Sequence, residues 1–507
     1  LETTMDDFVD PDLINTLDAP QISIDEAQVK RLVLQLEKKI NQNQILRLKF
    51  ANKPEKFMES EIDLDESLKS LHVISTAPEL YPQLVKLNAV ASILSLLSHE
   101  NTDIVIDVIN LIYELTDPDT ITETEAADSL INSLLENQGV QLLLETMLRL
   151  DPNDPSDSHG IYNTLGIIEN LIEVQQPQIV QIIEKMSDKL LPWFSTQLQS
   201  QWSDTKLYCA EILSIFLQNS NTLRKQFGEL NGIEVLLSEV AKYKKSDPET
   251  IEIEETIENI FDCICACLQA SENVELFLKI EGIDLMLIII KNKKFCRKNA
   301  IKVLDFALIQ VQCGETASEA FVQALGLKTL FAAFMKKGYK KHKKGFSEDE
   351  DEEHLCSIIV NLFKFLKGSS LERLSAKFVE ASCEKVSRLI EIHNKYTTRM
   401  TAEEQKSKLD QKSFELSEED LYLKKLEMGL FTLQQADLII MFLCHADYAT
   451  PNTKIFQEWL AKAFEEGKYA QSIAENVKTF IDNLGETGNV KLYSKLLENF
   501  RELFPSS

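Results

Sequence analysis

Cys263, Cys265 and Cys267 form a Cys-x-Cys-x-Cys run, a grouping of metal-ligand type. One bound ion would require the three thiolates to point at a common centre. On a helix, side chains two residues apart diverge by about 200°, so the run reads instead as buried apolar cysteine. The seven histidines are dispersed. None belongs to a His-Glu-x-x-His motif or sits at ligand spacing from a cysteine, and His354, beside Glu352 and Glu353, reads as one side of a surface ion pair. No P-loop or Gly-x-Gly-x-x-Gly loop is present, and 15 glycines in 507 residues leave little material for a phosphate cradle. Carboxylate pairs are plentiful, but 81 acids produce them by chance. These residues assign no catalytic centre, no cofactor and no metal site, and the expected protein is not an enzyme.

The charge balance points to a different activity. Lys and Arg number 53 against 81 Asp and Glu, a formal net charge of −28. Such a field repels nucleic-acid phosphates and acidic membranes, and it attracts basic protein segments. Direct nucleic-acid binding is therefore not expected as the main activity. Nine cysteines scattered along a long chain suit a reducing compartment. No apolar run is long enough to span a bilayer, and no secretory signal is visible. The chain starts at Leu1 rather than Met, so an upstream segment, with any targeting signal, is expected to have been lost.

The elements that carry these residues follow from size and periodicity. A chain of 507 residues exceeds one hydrophobic core, so it must divide into domains or extend as a solenoid. Few glycines, 13 prolines and 44% apolar residues favour a turn-poor helical protein. Residues 1–25 are acidic, hold Pro11 and Pro20, and read as a disordered tail. Val29, Leu32, Val33, Leu36 and Ile40 then mark the first helix of an N-terminal helical cap over 26–88.

Over 89–370 a pattern recurs, in which a small or glycine-led start precedes an apolar helix, a polar turn and a longer second helix. The starts are Ala89-Val90, Gly139-Val140, Leu190-Leu191, Gly232-Ile233, Gly282-Ile283 and Gly326-Leu327. Their spacing falls in the range of HEAT and armadillo units, which bury their second apolar faces only by stacking. The fold class is all-α: an armadillo/HEAT-type right-handed superhelical solenoid with helical N- and C-terminal caps. A charged insertion over 336–353 (basic through Lys344, acidic from Glu348) reads as a loop, with Ser347 as a weak acidic-directed phosphorylation signal. Its lysines equally suit a localisation or RNA-contact segment. The C-terminal cap, 371–507, is expected to hold a long helix over 371–398, a charged linker over 401–420, an apolar-faced helix over 421–446, and three helices near 453–467, 469–484 and 488–503.

Several stretches are unusual enough to carry a resemblance: Pro54-Glu55-Lys56-Phe57-Met58-Glu59-Ser60-Glu61, Asn163-Thr164-Leu165 with Glu169-Asn170, Lys206-Leu207-Tyr208-Cys209 and Lys302-Val303-Leu304-Asp305. Others are Glu352-Glu353-His354 with Cys356-Ser357-Ile358, Glu384-Lys385-Val386, Tyr422-Leu423-Lys424-Lys425-Leu426, and Gly429-Leu430-Phe431 with Leu433-Gln434. From about residue 30 to 440 the chain resembles the beta-catenin-like protein 1 family, of armadillo type, with little to match beyond 450. The resemblance implies a nuclear protein of the spliceosome's nineteen complex. It also implies partners among splicing factors with basic, nuclear-localisation-type segments, chiefly the cell-division-cycle-5-like protein. The family's basic-then-acidic tail is not seen before Leu1.

Importin-alpha grips basic peptides with stacked Trp and Asn residues on each groove helix. Aligning the helices here by apolar pattern puts Asn170 at the Asn position of the second unit and Asn110, Gly166, Glu211, Asn259, Lys302 and Asn361 at the Trp positions. None is Trp, so the lysine-stem ladder of an importin-like transport carrier, the competing function, is missing. Asn110, Asn259 and Asn361 offer amides to clamp an extended backbone. Acids stand at Glu114, Glu169, Glu211, Asp262 and Asp305, with Glu169, Asp262 and Asp305 at one register in their units. The expected site is an acidic, solvent-facing groove meeting a basic partner. For any one of these residues an ordinary solvated helix face is the competing reading, and homodimerisation stays open.

Overall fold

Five helix starts in this chain share one backbone device. In the computed structural model, which describes residues 24–121, 125–337, 348–409, 418–465, 469–485 and 489–505, Asn88, Gln138, Asn231, Glu281 and Leu325 all adopt left-handed φ of 56° to 61°. Each immediately precedes a helix that opens at Ala89, Gly139, Gly232, Gly282 or Gly326. The left-handed residue turns the chain sharply between consecutive helices. The glycine after it makes room, because a Cβ on Gly232 or Gly282 would lie 2.3 Å from the ring of Phe227 or Phe277 respectively, five residues back. Phe321 stands likewise against Gly326, at 2.6 Å. Overpacking of this kind costs about 1–3 kcal/mol, so Gly282→Ala is expected to lower the urea midpoint without lowering helix content in water. An unchanged midpoint would show that the Phe277 ring moves aside freely.

Five of the six starts read from the sequence thus open helices. Leu190-Leu191 instead lies inside a helix that begins at Ser187.

The chain divides into two compact units, through Met186 and from Ser187. The first holds α1 (Glu26–Lys49), α2 (Met58–Lys69), α3 (Tyr81–Lys86), α4 (Ala89–Ser95), α5 (Thr102–Leu115), α6 (Pro118–Ile121), α7 (Glu125–Glu136), α8 (Gly139–Met147) and α9 (Pro155–Lys185), with short 3-10 turns between some of them. Asp25 and Gln28 form a capping box that starts α1. Within this unit α2, α5 and α9 pack in succession. The second unit contains α10 (Ser187–Gln199), α11 (Asp204–Asn219), α12 (Asn221–Glu229), α13 (Gly232–Ala241), α14 (Ile251–Cys267), α15 (Ser271–Lys279), α16 (Gly282–Asn292), α17 (Arg297–Ile309), α18 (Gly314–Gln323) and α19 (Gly326–Phe334). It continues through α20 (Glu348–Phe365), α21 (Gly368–Leu409), α22 (Glu418–Glu427), α23 (Leu430–Cys444), α24 (Ala446–Ala449), α25 (Thr453–Glu465), α26 (Tyr469–Asp482) and α27 (Asn489–Leu503). Here α11, α14, α17, α20 and α23 form the inner ladder, each packed on the next. No strand occurs among the described residues, in keeping with an all-α repeat architecture.

Several sequence expectations need correction. The acidic run Glu348 to Glu353 is not loop but the first turns of α20, where acids favour the helix N-terminus. Lys340, Lys341, Lys343, Lys344 and Ser347 lie outside the described residues, as do residues 1–23. The helix expected over 371–398 is α21, which breaks where Ala381, Ser382 and Cys383 take positive φ, then runs on to Leu409 through much of the expected linker. The helix expected over 421–446 is two, α22 and α23, separated at Gly429, whose φ is 95° and whose Cβ would lie 2.4 Å from the Tyr396 ring. Nor is α23 apolar on one face only, since nearly every residue in it is buried. It is a central helix, packed by α20, α21, α25, α26 and α27.

Candidate functional site

The residues expected to line the groove occupy both units. In the first, Asn163 Nδ2 donates to Asn110 Oδ1 at 2.8 Å, and His72 Nδ1 lies 2.7 Å from Glu114 Oε2. Asn170 is buried and donates to the Thr116 carbonyl at 2.9 Å, while Glu169 is half-buried. The sequence reading missed a second polar cluster here, in which Lys69 Nζ sits 2.7 Å from Asp65 and 3.6 Å from Asp107. Burial and the neighbouring Asp65 carboxylate push Asp107 up to about 7. Asp65 and Lys69 are one turn apart on α2, but Asp107 comes from α5, so no spacing along the chain announces the three together.

In the second unit the ladder helices bring acids and cations together. Glu211 and Asn259 are half-buried. Lys298 Nζ lies 2.8 Å from Glu258, and Lys302 Nζ lies 2.7 Å from Asp262, tying α17 to α14. Burial opposes the charge on Lys302, but the hydrogen bond it donates to Asp262 prevails and holds its pKa above the ordinary value.

Asp305 departs from the expected solvent-facing position. It is 9% exposed, its Oδ2 lies 2.9 Å from His354 Nδ1, and its Oδ1 accepts from Ser357 Oγ at 2.6 Å. His354 is accordingly not a surface partner of Glu352 and Glu353 but a mostly buried link from α20 to α17. Burial disfavours its charge, yet the Asp305 hydrogen bond and field raise its pKa above the usual histidine value. Asn361 is also buried, donating to the Ser357 carbonyl in its own helix at 3.0 Å. The expected backbone clamp therefore fails at Asn361, whose buried amide serves its own helix, while half-buried Asn110 lends its oxygen to Asn163. The reason is general: buried polar groups in packed helices are consumed by internal hydrogen bonds. Asn259, Asp262 and Glu211 keep partial exposure.

A cavity of about 260 Å³ opens on this face, bordered by α14, α17 and α20. Beyond it, the acids at the start of α20 meet the cations of α21. Glu352, with a 4% exposed side chain, accepts from Lys395 Nζ at 2.7 Å and from Tyr396 Oη at 3.0 Å, and pairs with Arg388 and Lys336. Asp349 is matched by Lys395 and Arg399, and hydrogen bonds from those cations offset its burial and draw it down to about 2.

All nine cysteines are buried, and Cys263 Sγ donates to the Ala210 carbonyl at 3.4 Å. Burial pushes the Cys267 thiol up to about 12, which fits packing residues. Among the described residues, no three His, Cys, Asp or Glu side chains are grouped to hold a metal ion. No single helix among them is long and apolar enough to cross a membrane.

Comparison with known proteins extends the likeness beyond the span read from the sequence. A family model described as catenin-beta-like, Arm-motif containing nuclear matches residues 8–475. The chain is 39% identical to human beta-catenin-like protein 1 over 94% of its own length and 86% of that protein's. It is 35% identical to the Schizosaccharomyces pombe homologue over 96% of its length and 83% of the homologue's. Among solved structures, one reported for a phosphorylation switch in the cadherin–beta-catenin interaction aligns with a TM-score of 0.50 and 12% identity, over 96% of this chain and 92% of that one. Uso1-1 aligns at 0.52 and 11%, over 92% and 79%. These two show likeness of fold alone. On sequence identity and family match together, the chain belongs to the catenin-beta-like family of Arm-motif-containing nuclear proteins.

Proposed function

We propose that this armadillo protein is a non-enzymatic adaptor that holds basic segments of other nuclear proteins on the polar ladder face of its second unit. The observation that carries the reading is the acid excess, a net charge of −28 on a chain of this family. Half-exposed carboxylates, Glu258 and Asp262 among them, stand on that face. Both already hold lysines of the same chain, so a basic ligand competes with Lys298 and Lys302 instead of meeting bare acids. The resemblance to the beta-catenin-like protein 1 family supports splicing factors of the nineteen complex as partners, chiefly the cell-division-cycle-5-like protein.

Binding should weaken as salt rises, because exposed pairs are screened over roughly 8 Å at physiological ionic strength. Single rim pairs contribute only about 0.2–1 kcal/mol, so the informative change reverses two charges at once. Glu258→Lys with Asp262→Lys is expected to lower affinity for a labelled Lys/Arg peptide at least tenfold, about 1.4 kcal/mol. Fluorescence anisotropy at low and moderate salt measures this, with circular dichroism as the control for folding. Asp305 is unsuitable for such a reversal, since its burial would confound binding with stability. Undiminished affinity in a folded double variant would move the binding site off this face.

A further inference from the structure

We propose that the chain turns following α13, α16 and α19 together form a basic edge of the second unit that receives an acidic peptide segment of another protein. The edge lies on connecting loops and not on the helix faces that carry the adaptor reading, and it stands or falls independently of that reading. Lys242, Lys244 and Lys245 follow α13. Lys291 ends α16, with Lys293 and Lys294 just beyond it. Lys336 and Lys337 follow α19. Over 242–250, 291–296 and 336–337 the sequence sets against these lysines only Asp247 and Glu249. In a chain whose net charge is −28, that local surplus has the opposite sign to the whole.

The three turns are tied side by side. Asp247 Oδ2 lies 2.9 Å from Lys294 Nζ, and its Oδ1 accepts from the Phe295 backbone N–H at 2.8 Å. Lys293 Nζ in turn donates to the Lys337 carbonyl at 2.9 Å. The lysines therefore form one strip, in step with the packed helices α14, α17 and α20. Lys244, Lys245 and Lys291 are exposed, and none of them belongs to an ion pair among the described residues. A helix C-terminus favours cations only within its last turn, so helix polarity does not account for Lys244 and Lys245. Lys293 and Lys336 adopt left-handed φ of 53° and 51°, at helix ends where glycine or asparagine is the usual choice. Lysine holds both places against the backbone's preference.

Acidic peptide fits this edge better than nucleic acid. The anions already seated on it are carboxylates: Asp247 against Lys294 and a backbone N–H, and Glu384 of α21 at 3.4 Å from Lys337. Proteins that hold single-stranded nucleic acid add exposed aromatic rings on which bases stack. Here Phe295 is buried and Tyr243 half-buried, which leaves no open stacking platform among the described residues of the edge. A long polyanion would also meet the acid excess of the rest of the chain, whereas attraction screened over roughly 8 Å rewards a short segment. Packed helices stand about 8–10 Å apart, and an extended peptide advances roughly 3.3–3.6 Å per residue. Acids about three residues apart therefore reach successive turns.

The test uses the whole chain and a fluorescein-labelled peptide, Gly-Ser-Asp-Glu-Glu-Asp-Glu-Glu-Asp-Ser-Gly. Its controls are the same peptide with Asn and Gln in place of the acids, and a labelled oligouridylate of equal charge. Wild type is expected to bind the acidic peptide at least tenfold more tightly than the amide version, with the difference shrinking as salt rises. Lys244→Glu, Lys245→Glu and Lys291→Glu combined should weaken that binding at least tenfold at an unchanged urea midpoint. Lys293→Gly, which removes a charge and eases the left-handed backbone, should weaken it at least twofold without lowering the midpoint. If the triple reversal fails to fold, glutamine at the same three positions replaces it. A wild type that binds the acidic and amide peptides alike, or a folded triple variant that binds as wild type does, overturns the proposal. So does an oligouridylate that binds more tightly than the peptide and is lost in the same variant, which would make the edge a nucleic-acid contact.

Discussion

Glu352→Ala is expected to destabilise the second unit by about 3 kcal/mol. The carboxylate is buried among Arg388, Lys395, Lys336 and the Tyr396 hydroxyl, so its loss strands several cations with one counter-charge fewer. Removing one partner of a buried pair costs roughly 3–5 kcal/mol. The lower end applies because Lys395 and Lys336 reach water, with side chains 27% and 31% exposed. Glu352→Gln keeps the shape and part of the hydrogen bonding, and should lose less. Urea unfolding followed by circular dichroism measures both variants. A loss under 1 kcal/mol for the alanine variant would mean that Glu348 and Asp349 take over the cations.

Asp437→Ala should have an effect of similar size, and one that depends on pH. Asp437 is fully buried on α23, its Oδ1 lies 2.7 Å from His393 Nδ1 on α21, and its Oδ2 accepts from Asn476 Nδ2 on α26 at 2.8 Å. Three helices of the C-terminal region thus meet at one carboxylate. Burial works against charge on His393, but the field and hydrogen bond of Asp437 outweigh it and raise its pKa above the ordinary 6.5. A group whose folded pKa is raised stabilises the fold fully below its unfolded pKa and loses that contribution as pH climbs through the folded value. The stabilisation from this pair is therefore complete below about pH 6.5 and declines above it, and His354 with Asp305 acts in the same direction. In Asp437→Ala the imidazole can shed its proton, which holds the loss to about 3 kcal/mol at pH 6. The difference from wild type should shrink between pH 6 and pH 8. Denaturation at several pH values reads this, and a difference that grows with pH would contradict the assignment.

The helices were legible because apolar residues recur at helical spacing and because glycine punctuates the starts at 139, 232, 282 and 326. The physical role of those glycines was not legible. Those at 232, 282 and 326 clear a phenylalanine five residues back, and Gly139 clears Leu134, contacts seen only once the left-handed residue has turned the chain. The candidate site was legible as a register of Asn, Asp and Glu on the second helix of each unit, and its chemistry was not. Asp305 and Asp262 occupy equivalent positions, yet one is buried under His354 and Ser357 while the other stays half-exposed beside Lys302. Periodicity fixes the face of a helix but not how near the next helix comes. For the same reason the acids from Glu348 onward look like a solvated loop in the sequence, since their partners lie some 36 to 50 residues later on α21.

The burial of the cysteines bears on how the two units report their own opening. Every thiol, from Cys209 to Cys444, belongs to the second unit, and the first unit has none. Thiolates, not thiols, react with alkylating and oxidising reagents, so sealed sulfurs such as Cys265 and Cys356 are inert until their surroundings part. A thiol reagent added to the native protein therefore acts as a clock for local unfolding in the second unit alone. Excursions of the first unit leave no mark on that clock, and oxidation of cysteine in this chain begins with a breach of the ladder helices or their neighbours.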